Sequence, residues 1–206
     1  MKKDLFANRR IGVIGEEDCR HYAVFIPMVD YNGETYLLFE KRANLLKRQP
    51  GEICFPGGKL EQGETFQECA VRETMEELLI AQQQIQILGP GDLYISPFNL
   101  MIHPFIGIIE GYKGTFSHNE VEEMIKIPLN YFRNHAPERF ESKLSHEPSE
   151  DFPYEWIPGG KKYPWAKGIY DIYFYRYEEH IIWGMTAHIV KSAVKLIEEY
   201  ELTNMN

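Results

Sequence analysis

Residues Gly57 to Ile80, GGKLEQGETFQECAVRETMEELLI, constrain this chain more than any other stretch. A glycine-rich turn and a lone acid, Glu64, precede the run Arg72-Glu73-Thr74-Met75-Glu76-Glu77. An α-helix turns by about 100° per residue, so Glu73, Glu76 and Glu77 fall within an arc of about 100°. Val71, Met75 and Leu78 point the other way and predict the face that meets a core. Three carboxylates with no lysine among them repel one another unless a positive charge sits between them. Hard divalent cations select carboxylate oxygens and keep several waters, which leaves room for the phosphates of a substrate. For an acidic pattern standing alone, a solvated helix face is the competing interpretation.

The order of the flanking residues shifts the balance. Gly58, five residues, Glu64, seven residues, then Arg72-Glu73-x-x-Glu76-Glu77 strongly resembles the box of the Nudix hydrolase family. That box reads Gly-x5-Glu-x7-Arg-Glu-U-x-Glu-Glu-x-Gly-U, with U a bulky apolar residue. Ile80 matches the final U, Thr74 stands where U is usually aliphatic, and Leu79 stands where the second glycine belongs. A leucine there costs roughly 1 kcal/mol or more if the helix still ends with a positive φ. The resemblance implies an α/β (α+β) fold in which a mixed β-sheet is sandwiched between helices, with the box (58–80) as a loop–helix–loop. It implies hydrolysis of a diphosphate bond with Mg²⁺ or Mn²⁺ held by Glu73, Glu76, Glu77 and the Gly58 carbonyl. Arg72 is then expected to pair with a box glutamate, Glu64 first, and hold it in place. Which acid acts as the base stays open.

At 206 residues the chain is expected to form one domain, 1–206, with a sizeable core. Its net charge of −9 argues against nonspecific nucleic-acid partners and against an anionic membrane surface. An anionic substrate would need a metal and a local cluster of bases. With no signal peptide and no apolar run of transmembrane length, the expected location is the cytoplasm. Cys19, Cys54 and Cys69 are odd in number and lack CxxC spacing, which predicts reduced thiols, with Cys54 and Cys69 in the core and no zinc site.

Taken in order, Tyr22–Val29 predicts a strand in which Pro27 marks an edge or a bulge, and such an edge would serve a homodimer. Asp30-Tyr31-Asn32-Gly33 is a turn, and Thr35–Lys41 returns as the second strand of a hairpin. The loop that follows carries Arg42, Lys47 and Arg48 ahead of a short strand at Ile53–Phe55. Each base alone is as readily a surface residue. As a group before an acidic helix, phosphate binding explains them better. The run also resembles the signature of the coenzyme A diphosphatase branch. Arg42, Leu46, Gly51 and Phe55-Pro56-Gly57-Gly58 match, while Lys47 and Gln49 replace an arginine and a histidine. The branch implies cleavage of coenzyme A or an acyl derivative to 4′-phosphopantetheine and adenosine 3′,5′-bisphosphate, with Arg42, Lys47 and Arg48 as partners for the 3′-phosphate. ADP-ribose or another nucleotide is the alternative substrate. A nucleotide-binding module without turnover is the alternative of a different class.

Beyond the box, Gln84–Leu88 and Leu93–Ser96 predict short strands and Met101–Glu110 a long one, with His103 packed rather than a ligand. Ser117–Leu129 is similar to the loop-then-strand from which many Nudix enzymes take a further acid. Glu120 is at the matching position, with Glu123 in reserve. Residues 132–168, rich in proline and aromatics, predict an irregular hairpin or flap. Trp156, Tyr163 and Trp165 would pack onto it or stack on an adenine. Ile169–Tyr177 alternates as a strand. Ile181–Ala187 resembles the branch's Ile-Trp-Gly-x-Thr-Ala, with Thr186 as the N-cap of a last helix over about 186–200. Its apolar face is Ile189, Val190, Ala193, Val194 and Ile197.

Overall fold

The computed structural model describes residues 7–8 and 12–203. Chain order is β1 (Arg20–Tyr31), β2 (Glu34–Arg42), β3 (Ile53–Cys54), β4 (Gly57–Lys59), α1 (Phe66–Leu78), β5 (Ile85–Pro90), β6 (Tyr94–Ser96) and β7 (Leu100–Ile109). Then follow β8 (Val121–Pro128), α2 (Leu129–Asn134), β9 (Glu138–Leu144), β10 (Gly168–Tyr177), β11 (His180–Trp183) and α3 (Gly184–Glu199). Eight strands form a mixed sheet along the path β3-β2-β1-β7-β5, with β4 added to β1, β6 to β7 and β8 to β2. Strands β11-β10-β9 form a second, antiparallel sheet. The expected α/β architecture, a mixed sheet between helices, is the one observed. Among the described residues no helix is long and apolar enough to cross a membrane.

Strand alternation sends Ala23, Phe25, Val29 and Leu38 to one face, where they pack on Cys69, Ala70 and Leu78 of α1. Ile26, Met28, Leu37 and Phe39 go to the other face, against Phe132 of α2 and Ile189, Val190, Ala193, Val194 and Ile197 of α3. The apolar face predicted for the last helix is therefore the buried one. The hairpin turns at Asn32 (φ 55) and Gly33 (φ 79), and the Asp30 carboxylate accepts the Gly33 N–H at 3.1 Å.

Pro27 does not mark an edge. β1 is internal, parallel to β7 on one side over Arg20–Met28. Its other side pairs with β4 through Val24 and with β2 from Met28 onward. The Phe25 N–H donates toward the β4 side, to the Pro56 carbonyl at 2.9 Å. Pro27, two residues on, faces the same side at the handover between the two partners, where the ladder needs no donor.

Three other expectations need correction. Val71 and Met75 are only half-buried, and the face of α1 that meets the sheet is Cys69, Ala70, Thr74, Glu77 and Leu78. Thr74 is buried without penalty because its hydroxyl donates to the Ala70 carbonyl at 2.6 Å. Thr186 lies inside the first turn of α3, whose N-cap is Trp183. Cys69 is buried but Cys54 only half-buried, and all three thiols are free. Within 132–168, β9 pairs in register with β10, and the 145–167 connection holds short 3₁₀ turns at Tyr154–Trp156 and Gly160–Lys162. Trp165 there packs on His146, Phe152 and Tyr163.

Helix α1 starts on a capping box. The Thr65 hydroxyl accepts the Glu68 N–H at 3.2 Å and the Glu68 carboxylate accepts the Thr65 N–H at 2.8 Å. It ends on Leu79 at φ 52, ψ 48, the left-handed turn a glycine would take at no steric cost, with the leucine side chain 59% exposed. Leu79→Gly is therefore expected to stabilise the fold by about 1 kcal/mol and to raise the melting temperature by about 2–4 °C. A lower melting temperature would show that the exposed leucine makes up its strain elsewhere.

Candidate active site

The site begins with two adjacent glycines in β4. Gly58 pairs with Ala23 and Gly57 with Val24 of β1. A Cβ on Gly57, at φ 154, would stand 2.3 Å from the Ala23 carbonyl oxygen, so the strand docks only because the side chain is missing. At Gly58 the same atom would stand 2.1 Å from the Glu73 carboxylate. Glu73 thus lies directly against the backbone of β4.

Arg72 organises the acids around it. Its guanidinium donates through Nε and Nη2 to both oxygens of Glu64, at 3.0 and 2.9 Å, and through Nη1 to Glu73 at 2.9 Å and Glu76 at 3.5 Å. The twin contact brings the Glu64 carboxyl down to about 2 and raises Arg72 further above its already high value. The expected Arg72–Glu64 pair is present in this geometry.

Glu77 behaves differently. It is only 5% exposed, and its Oε2 accepts the Gly57 N–H at 2.9 Å. On β2, Glu40 is fully buried. The Cys54 thiol donates to its Oε1 at 3.3 Å, while Oε2 is buried with no partner. Burial first, and then the charge of Glu40, push the Glu77 carboxyl well above the ordinary range. Glu40 moves the same way through burial, opposed by the Cys54 hydrogen bond and by Arg42, whose Nη1 is 4.0 Å from Oε1. Burial also raises Glu73, against the pull of Arg72.

The loop before β8 closes over the end of α1. The Ser117 N–H donates to the Glu77 carbonyl at 2.7 Å and the Thr115 hydroxyl to the Leu78 carbonyl at 2.8 Å, satisfying two terminal carbonyls of the helix. The Ala43 N–H then donates to the Glu120 carbonyl at 2.9 Å, which seats Glu120 beside the basic loop. That loop is itself pinned by the Arg42 N–H to the Glu52 carbonyl at 2.9 Å and the Gly51 N–H to the Arg42 carbonyl at 3.0 Å.

One cleft of about 690 Å³ brings these parts together. Gly58, Glu73, Glu77 and Glu120 line it, and so do Arg42 and Arg48. Glu76 is exposed and lies outside the lining, as do Glu64 behind Arg72 and Lys47 in its loop. Glu123 is paired with Lys41 in the β2–β8 ladder and does not face the cleft. Several cleft or near-cleft residues were not anticipated. Arg20, Lys59 and Phe98 line the wall, and Glu40 sits beneath Glu77. Glu40 carried a signal of its own, an acid inside the apolar run TYLLFEK.

Among the described residues, no three acidic, histidine or cysteine side chains close on one point as they stand. Arg72 draws Glu73 and Glu76 onto itself, and Glu77 is turned to the Gly57 N–H. The donor set nevertheless fits a hard divalent cation. Several carboxylates crowd a dry corner where burial and the charges of Glu40, Glu73 and Glu120 raise the proton affinity of Glu77, and Glu40 Oε2 lacks any partner.

A model of the NUDIX domain matches residues 20–158, and the chain belongs to the Nudix family. Members of this family generally use divalent metal ions. The chain is 30% identical over 133 residues to the peroxisomal coenzyme A diphosphatase NUDT7 of Mus musculus, a match covering 64% of this chain and 56% of the mouse protein. It is 34% identical over 124 residues to the peroxisomal coenzyme A diphosphatase ndx-8 of Caenorhabditis elegans, covering 57% of this chain and 51% of that one. The chain thus spans little more than half the length of these two animal relatives. An uncharacterized Nudix hydrolase, NudL of Photorhabdus laumondii, is 28% identical over 180 residues, covering 87% and 86%. The solved structure of a MutT/nudix family protein from Enterococcus faecalis shares the fold, with a TM-score of 0.50 at 14% identity over 96% of this chain and 68% of that one.

Proposed function

We propose that this enzyme hydrolyses the diphosphate bond of coenzyme A or an acyl derivative, giving 4′-phosphopantetheine and adenosine 3′,5′-bisphosphate. The observation that carries the proposal is the shared cleft, which Glu73 and Glu77 of α1 line together with Arg42 at the end of β2 and Arg48 in the loop after it. The relatives named for coenzyme A cleavage support the choice of substrate. Gly58 through its carbonyl, with Glu73, Glu76 and Glu77, would hold Mg²⁺ or Mn²⁺. The ions supply charge neutralisation for the diphosphate and lower the pKa of an attacking water. Arg72 fixes Glu73 and Glu64, Glu120, which lines the same cleft, would accept the proton of the water, and Arg42 and Arg48 would take the diphosphate oxygens. Water adds to one phosphorus while the bridging oxygen leaves with the other.

Incubation with Mg²⁺ or Mn²⁺ and a panel of coenzyme A, acetyl-coenzyme A, dephospho-coenzyme A, ADP-ribose, NADH and a diadenosine polyphosphate, with products identified by mass, tests the proposal. Phosphopantetheine and adenosine 3′,5′-bisphosphate, formed only without EDTA, are the expected products. Cleavage of ADP-ribose in preference to coenzyme A would overturn the substrate, and no cleavage of any compound would favour a binding module.

A further inference from the structure

The bases that line the cleft are not the trio the sequence groups together. Lys47 is outside, and Arg20, from the first position of β1, is inside with Arg42, Arg48 and Lys59. Their placement is graded. Arg42 stands by the acids, within 4.0 Å of Glu40. Arg20 lies at the far end. Gly58 is paired with Ala23, three residues along β1 from Arg20, and at about 3.3 Å per residue that is about 10 Å of strand. Between them, Tyr22 accepts a long contact of 3.5 Å from Arg48 Nη1. Lys59 is the cross-strand partner of Tyr22, so Arg48 and Lys59 come to Tyr22, two residues along the strand from Arg20.

None of the three is neutralised. Among the described residues, Arg20, Arg48 and Lys59 have no carboxylate within ion-pair distance. The side chain of Arg20 makes one weak bond, from Nη2 to the Phe98 carbonyl at 3.4 Å. In a chain of 31 acids and 22 bases, uncompensated cations gathered at one end of a cleft attract an anion there. The ring of Phe98, 60% exposed on the same wall, offers a stacking surface for a base.

We propose that Arg20 is the specificity residue at the nucleoside end of the cleft, receiving a phosphomonoester of the substrate that the diphosphate-binding arginines do not reach. On the coenzyme A proposal above, on which this rests, that group is the 3′-phosphate. A guanidinium presents parallel N–H donors to a phosphate, and the charge-assisted pair is broken when the phosphate is absent.

Titration calorimetry with adenosine 3′,5′-bisphosphate and with AMP tests this in the wild type, Arg20→Gln, Arg20→Lys and Lys47→Gln. The wild type is expected to prefer the bisphosphate by about ten-fold or more. Arg20→Gln should remove most of that preference while leaving AMP affinity unchanged, Arg20→Lys should restore part of it, and Lys47→Gln should keep it. Arg20 is exposed, so the variants are expected to fold, and their melting temperatures check this. A preference that survives Arg20→Gln, or a wild type with none, overturns the assignment. Absence of coenzyme A cleavage in the product assay would instead overturn the substrate, and the two failures read differently.

Discussion

Glutamine at position 77 is expected to stabilise the metal-free protein and to lower kcat/KM by about 100-fold or more. The two effects share one cause. Glu77 is buried beside Glu40 and Glu73, and its carboxyl holds its proton well above the ordinary range. In the unfolded chain it ionises near the usual glutamate value. Folding therefore takes up a proton, and stability that is full below that value falls steadily as pH rises above it. Glutamine is neutral at every pH and still offers an oxygen to the Gly57 N–H, so its advantage over glutamate should widen between pH 5 and pH 8. Yet a neutral amide is a poor donor to a hard cation, so turnover is lost. Thermal unfolding in EDTA at both pH values, beside steady-state kinetics, measures both. A melting-temperature difference that does not grow with pH would mean that Glu77 is not the group opposing the fold.

The paired glycines should part company when each is changed to alanine. At Gly57 the added atom meets the backbone of Ala23 and Val24, which cannot yield without tearing β4 from β1. A loss of about 3 kcal/mol and a fall of about 6–12 °C in melting temperature are expected. At Gly58 the obstacle is the flexible end of Glu73, so the fold survives but the carboxylate shifts. Misplacement by about 1 Å can cost about 100-fold in rate, so Gly58→Ala should fold normally and turn over about 100-fold more slowly. Equal loss of stability in both variants would show that the Glu73 carboxylate is held too firmly to move aside.

Much of this arrangement was legible in residue order, because periodicity and turn chemistry act locally. The hairpin through Asn32-Gly33, the long strand β7 and the apolar face of α3 all follow from rules that span a few residues. Where the structure departs, the deciding neighbour is distant. Helical geometry placed the acids opposite the core, but β1 and β4 pack against α1 so that Glu77 is buried and Glu73 half-buried. Pro27 implied an edge, yet partner strands change over at that position. Arg20 carried no expectation, and Lys47 looked like part of a basic cluster. Only the pairing of β1 with β4 and the bonds that pin the 42–52 loop decide which of them faces the cleft.

The position of β1 also bears on the order in which the molecule comes into being. Its hairpin with β2 and its ladder with β4 use segments made soon after it, but its whole parallel edge waits for β7, which begins at Leu100. Loop closure over that span is slow compared with a hairpin turn. A chain emerging from the ribosome therefore carries the box helix and the acids before the strand that backs them is available. Until β7 arrives, one apolar margin of β1 stands open to any passing strand, and that interval is when this protein is most exposed to misassembly.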